Sequence, residues 1–117
     1  MSDMDMSTMR HAEPLKPAAL HILAALAEGD CHGYAVMTRV RERSGGAMPL
    51  QTGSFYRHLS KLIDGGLVAT AAKRPAGDDP RRGAYYHLTP RGQDALAAER
   101  RRLAELVASL KPRKGQA

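Results

Sequence analysis

The chain has no tryptophan, one phenylalanine and one cysteine. With aromatic residues at 4%, a core built from it must rest on Leu, Ala, Val and Met. Cys31 alone cannot close an intrachain disulfide, which points to a reducing compartment. No run approaches the roughly 18–20 apolar residues of a membrane span. The first residues also lack the basic-then-apolar order of a signal peptide. A cytoplasmic protein with no membrane contact is therefore expected. Phosphate-cradling glycine loops, paired-cysteine metal motifs and nucleophile motifs are all missing. Scattered His and Asp form no catalytic constellation, so neither an enzyme nor a cofactor is expected. No repeat stands out at solenoid periods.

What is present is 117 residues, enough for one small domain, with a net charge of +6 and a pI of about 9.9. That balance favours a polyanionic partner. The charge is unevenly spread. Residues 1–15 carry Arg10 against Asp3, Asp5 and Glu13, whereas residues 91–117 carry seven cations against Asp94, Glu99 and Glu105.

The stretch from Met48 to Leu67 combines these properties. At a helical period Phe55, Leu59, Leu62 and Ile63 share one face. Gln51, Ser54, Arg57, His58 and Lys61 share the other, with no carboxylate before Asp64. A helix with an apolar back and a cationic, hydrogen-bonding front suits the major groove of DNA. An ordinary amphipathic helix with a solvated face is the plainer alternative. Gly65-Gly66 ends it through the left-handed cap that glycine adopts at little cost.

Around this stretch, residues 1–13 read as a disordered arm. Met1, Met4, Met6 and Met9 offer thioethers that suit Cu(I), but an unstructured leader accounts for them more simply. Pro17 suits a helix start, and Ala18–Ala27 is apolar almost all round, as in a buried helix. His21 reads as a partly buried histidine with a backbone partner. Cys31 and His32 do not have a ligand spacing and read as a turn leading into a helix over Tyr34–Arg43. In that helix Tyr34, Met37 and Val40 face inward while Arg39, Glu42 and Arg43 point away. Ser44-Gly45-Gly46 breaks it.

After the central helix, Leu67–Arg74 and Ala84–Thr89 are extended and flank the charged loop Pro75–Gly83, a β-hairpin pattern. Tyr85 and Tyr86 alternate faces, so one should be buried. Thr89-Pro90 caps a last helix running to about Leu110. Leu96, Leu103 and Leu110 recur there every seven residues, with Leu106 and Val107 filling the seam. Residues 111–117 form a basic tail.

The order helix, helix, basic helix, hairpin, long helix is that of a winged helix-turn-helix with an added C-terminal helix, mainly α with a small β-hairpin. The expected domains are a DNA-binding unit over 14–89 and a dimerisation helix over 90–110. The residues also carry a resemblance. His32-Gly33-Tyr34 after the first helix, Gly53-Ser54-Phe55-Tyr56 with Leu59 and Leu62, Gly65-Gly66-Leu67, and Tyr85–Thr89 followed by Gly92 are together similar to the PadR family of transcriptional regulators. The similarity covers about Leu15 to Leu110. Gln51-Thr52 departs from it, standing where that family often has a small polar residue and then proline.

The resemblance implies a homodimeric winged-helix repressor in which the C-terminal helix supplies much of the dimer contact, here Leu96, Leu103, Leu106, Val107 and Leu110. It further implies a possible small-molecule effector near the dimer interface. Ser54, Tyr56, Arg57 and Lys61 become the DNA-contact candidates, with Gln51 and Thr52 at the helix start and Lys73, Arg74, Arg81 and Arg82 on the wing. Ser54 and Arg57 can reach base edges, and the remaining cations hold phosphates. The Tyr56 hydroxyl can meet DNA or its ring can fill the core edge; Tyr34 and Phe55 are expected in the core. A two-fold dimer implies double-stranded DNA with a palindromic operator. The alternative is a winged helix used only for protein interaction, which would lack the steep salt dependence of DNA binding.

Overall fold

The computed structural model describes residues 14–71 and 83–110. The elements over these residues are α1 (Pro17–Leu26), β1 (Cys31–His32), α2 (Gly33–Arg43), α3 (Thr52–Asp64), β2 (Val68–Thr70), β3 (Tyr85–Leu88) and α4 (Pro90–Ser109). The strands form one antiparallel sheet in the order β1-β3-β2.

The apolar run in α1 puts that helix at the centre. Ile22, Leu23 and Ala25 are fully buried, and α2, α3, α4 and β3 all pack on it. Pro17 occupies the first turn, where its missing N–H costs nothing. Behind α1 the chain carries Glu28 to Asp30 on the surface. Arg39, expected to point outward, instead turns back. Its Nη1 donates to the carbonyls of Ala25 (3.1 Å) and Gly29 (2.8 Å), giving backbone acceptors at and beyond the end of α1 a charged partner. The long stem of arginine lets a residue on an outer helical position reach a neighbour that periodicity alone cannot show.

Cys31 and His32 form a short strand where a turn was expected. They pair with Tyr86 and Tyr85, so the wing's hairpin becomes a three-stranded sheet. His32 Nδ1 then accepts from the Ala35 amide at 3.3 Å and caps α2. Val36 and Val40 are the buried side of α2. Tyr34 is not in the core: it is 69% exposed. It stands on the second residue of α2, beyond the surface the other helices cover.

In α3, Phe55, Leu59 and Leu62 are buried as expected and Ile63 is half-buried. The turn after it uses Gly66, at φ 79°, while Gly65 stays right-handed at −81°. Thr89 locks this end to the next helix. Its hydroxyl donates to the Gly66 carbonyl (2.7 Å) and accepts from the Gly92 amide (2.9 Å). Of the two tyrosines on β3, Tyr85 is buried and Tyr86 half-buried.

Helix α4 divides along its length. Leu96 packs on the core, whereas Leu103, Leu106, Val107 and Leu110 are 40–68% exposed. Glu99 is buried, accepts from the Leu15 amide at 3.1 Å and lies 3.6 Å from Arg102. This carboxylate ties the residues ahead of α1 to α4, a role that the sequence did not signal. No helix among the described residues is long and apolar enough to cross a membrane.

Candidate nucleic-acid interface

Burial of Phe55, Leu59 and Leu62 fixes the rotation of α3 about its axis, and everything it displays follows from that. Gly53, Tyr56, Arg57, Ser60, Lys61 and Asp64 are exposed, together with Gln51 and Thr52 at the start. Ser54 and His58 are half-buried and form the flank of this face. Ser60 belongs to the exposed face although the expected set omitted it. The Ser54 hydroxyl accepts from Arg57 Nη2 at 3.4 Å, a long contact that a base or phosphate could displace. The face carries two fixed cations and, within the helix, the single carboxylate Asp64 at its last residue.

The start of α3 has no side-chain cap: Gln51 leaves the first-turn amides without a side-chain acceptor, and there is no acidic residue in that turn. Those amides and the positive end of the helix dipole add to the cationic character of the face.

Tyr56 lies at the rim. Its ring meets Phe55 edge-on, with centroids 4.9 Å apart. Its hydroxyl lies over Gly33, where a Cβ would collide with it. The glycine of His32-Gly33-Tyr34 is thus explained by a close approach of α3 to the start of α2. The Tyr86 phenol is raised above its ordinary range by burial first and by Tyr56 second.

The His58 imidazole is held below the ordinary histidine range. Partial burial is the largest cause, followed by the charges of Arg57, Lys16 and Lys61. Lys16, just ahead of α1 and exposed, thereby joins the cationic surroundings of α3. The Cys31 thiol is pushed up mainly by burial, against the opposing charge of Arg39. A buried, protonated thiol is a weak nucleophile and a poor ligand. Among the described residues no group of three or more His, Cys, Asp or Glu could hold a metal ion.

Lys73, Arg74, Arg81 and Arg82 lie outside the described residues. On α4, Leu96 is drawn into its own domain and does not extend the exposed apolar seam, while Leu103, Leu106, Val107 and Leu110 remain open. A groove of about 480 Å³ between α1 and α4 runs from Leu20 and Ala24 to Leu96 and Leu103, with His21 and Arg100 at its rim.

Two helices packed behind one cationic helix, a sheet at its edge and a long C-terminal helix define a winged helix-turn-helix fold. The chain belongs to the PadR-like family of transcriptional regulators, whose family model matches residues 22–98. Among solved structures it is similar to a PadR family transcription regulator from Clostridium difficile, with a TM-score of 0.66, 24% identity, and 80% of this chain and 93% of that one covered. It is also similar to RosR of H. salinarum in the RosR-S4 complex, with a TM-score of 0.61, 25% identity, and 85% and 91% covered. An uncharacterised 37.1 kDa protein in transposon TN4556 of Streptomyces fradiae is 35% identical over 89 residues, and the chain spans 24% of that curated relative's length.

Proposed function

We propose that this chain is a cytoplasmic, sequence-specific DNA-binding repressor acting as a homodimer, with release by a small-molecule effector. The observation that carries the reading is the anchored rotation of α3, which buries Phe55, Leu59 and Leu62 and exposes Arg57 and Lys61. In the major groove Arg57 reads a base edge, guanine being the partner whose two acceptors match its fork. Ser54, half-buried beside it, supports that contact. Lys61, Gln51, Thr52 and the wing cations Lys73, Arg74, Arg81 and Arg82 hold phosphates and set the register. Tyr56 shapes the rim through its ring, since its hydroxyl is turned toward Gly33.

Four exposed apolar side chains, three on the last two turns of α4 and Leu110 just after it, support the dimer, since such a cluster is costly on a monomer. The groove between α1 and α4 leads into that seam and offers the effector an apolar wall edged by Arg100 and by the Arg43–Glu28 ion pair. Domain roles follow: residues 14–89 bind DNA, 90–110 dimerise, and 1–13 and 111–117 flank them.

The test is a gel-shift titration against DNA selected from a random pool, at several salt concentrations. Affinity should fall steeply with salt, log K against log salt having a slope of about −0.9 per phosphate neutralised. Arg57→Ala should cost about 1–3 kcal/mol and relax selection at one base position. Salt-independent binding, or an unchanged selected sequence in the variant, would reject the role.

A further inference from the structure

Tyr34, expected in the core, stands 69% exposed at the second residue of α2. Among the described residues its hydroxyl has no hydrogen-bond partner. Its neighbour Gly33 lies under the Tyr56 hydroxyl, with Tyr56 Cζ 3.2 Å from where a Cβ on Gly33 would stand. Tyr56 in turn is 45% exposed beside Arg57 on the outer face of α3. The start of α2 therefore adjoins the exposed edge of α3, and two open phenols flank that contact. The charged side chains of α2 are placed away from it. Arg39 is turned back onto the Ala25 and Gly29 carbonyls, and Arg43 pairs with Glu28 at 2.7 Å. Arg41 and Glu42 lie about two turns further along, roughly 10–12 Å at 1.5 Å per residue. The first turn has no acidic residue to repel an anion. What α2 offers beside α3 is thus a phenol with an idle hydroxyl and no fixed charge.

We propose that Tyr34 is a backbone-positioning residue whose hydroxyl donates to a phosphodiester oxygen on the strand bordering the groove that α3 enters. The inference rests on the DNA-binding reading above and adds to it a contact from α2, which carries none there. When the second helix of a helix-turn-helix lies in the major groove, the first crosses the sugar-phosphate backbone. The Gly33–Tyr56 approach identifies the start of α2 as the end beside that groove. Tyrosine suits the task, because its ring is a stiff apolar arm and its hydroxyl is one donor at the tip. A neutral donor fixes the register of α3 without neutralising a phosphate, so it releases no counterion. This separates its role from that of Lys61, which acts through its charge.

The experiment measures affinity for a selected duplex across a salt series with the wild-type protein, Tyr34→Phe and Lys61→Gln. The same titrations are repeated on duplexes that each carry one methylphosphonate in place of a phosphate. Tyr34→Phe should weaken binding about tenfold, the size of one hydrogen bond to a charged acceptor. Its salt slope and selected sequence should match those of the wild type, whereas Lys61→Gln should reduce the slope by about one unit. One methylphosphonate at the groove edge should weaken the wild type and leave Tyr34→Phe unaffected, a coupling that a loss of folding cannot produce. Tyr34→Phe binding as tightly as the wild type, or sharing its sensitivity at every phosphate, would overturn the contact and leave the regulator reading intact. A changed base preference in Tyr34→Phe would place the hydroxyl on a base edge and overturn it equally. Failure of the wild-type protein to bind any duplex at low salt would remove the parent reading together with this one.

Discussion

At the residue scale, two glycines show what close packing demands of the chain. A Cβ on Gly92 would strike the Leu67 carbonyl and come within 2.6 Å of Leu88 Cδ1. The first obstacle is backbone in the turn that leads into β2, so it cannot turn aside. A Cβ on Gly33 would meet the Tyr56 hydroxyl, with Cζ at 3.2 Å, but this is the end of a side chain that is 45% exposed and can swing out. Overpacking typically costs about 1–3 kcal/mol. Gly92→Ala is expected at or beyond the top of that range and Gly33→Ala near the bottom, measured as unfolding free energy in denaturant. Shortening the obstacle with Tyr56→Phe should remove most of the Gly33→Ala cost and leave that of Gly92→Ala unchanged. The two positions are far enough apart in role for such a cycle to separate them.

The same scale shows which side chains the sequence could and could not place. Phe55, Leu59 and Leu62 were legible because three buried positions over two turns define a face. Tyr34 was not, since a helix start gives periodicity too few residues to fix a direction. Arg39 defeated the pattern for a different reason: its polar head lies several bonds from the backbone position that periodicity describes. Glu99 carried no signal at all, because its partners, Leu15 and Arg102, lie 84 and three residues away and only the former reveals why it is buried.

At the scale of elements, boundaries marked by capping chemistry were the most readable. Thr89-Pro90 states the start of α4, and the hydroxyl of Thr89 does cap Gly92. Strand β1 was hidden because two residues are too few for alternation, and its existence depends on Tyr85 and Tyr86 arriving from far along the chain. The front of α3 was legible in residue type but not in finer rotation, so Ser60 was missed and Ser54 and His58 were placed too centrally. On α4 the heptad pattern combined two surfaces. Leu96 serves its own core, and the exposed apolar seam begins at Leu103. The exposed cluster of Leu103, Leu106, Val107 and Leu110 carries no acidic residue among its four members. A charge placed at its core-proximal end would have to be desolvated on association. Leu103→Asp is expected to shift the protein from dimer to monomer in sedimentation at micromolar concentration. Because Leu103 is already 40% exposed, the fold of each subunit should persist by circular dichroism. A dimer unchanged by the variant would show that the seam packs elsewhere.

At the scale of the whole molecule, the direction of α3 and the position of the α4 seam together constrain how two copies meet DNA. Helix α4 enters the domain through Thr89, which is bonded to the turn after α3, and it is held again at Leu96 and Glu99. Those three attachments fix the first half of α4 to the core on which α3 also packs, so in the proposed dimer a two-fold contact at the far half of α4 would set the separation of the two α3 helices. Two such helices on one face of B-DNA must lie about one turn apart, roughly 34 Å. A palindromic site with the native spacing should therefore bind both subunits at once. Inserting about five base pairs between the half-sites turns one of them to the opposite face, since a helical turn is about 10–10.5 base pairs. Affinity should then drop toward that of a single half-site, because the second contact loses its high effective concentration. Gel shifts on a spacer series would read this directly. A dimer that tolerated the half-turn insertion without loss would mean that α4 hinges beyond Glu99, and the rigid coupling of its seam to α3 would have to be abandoned.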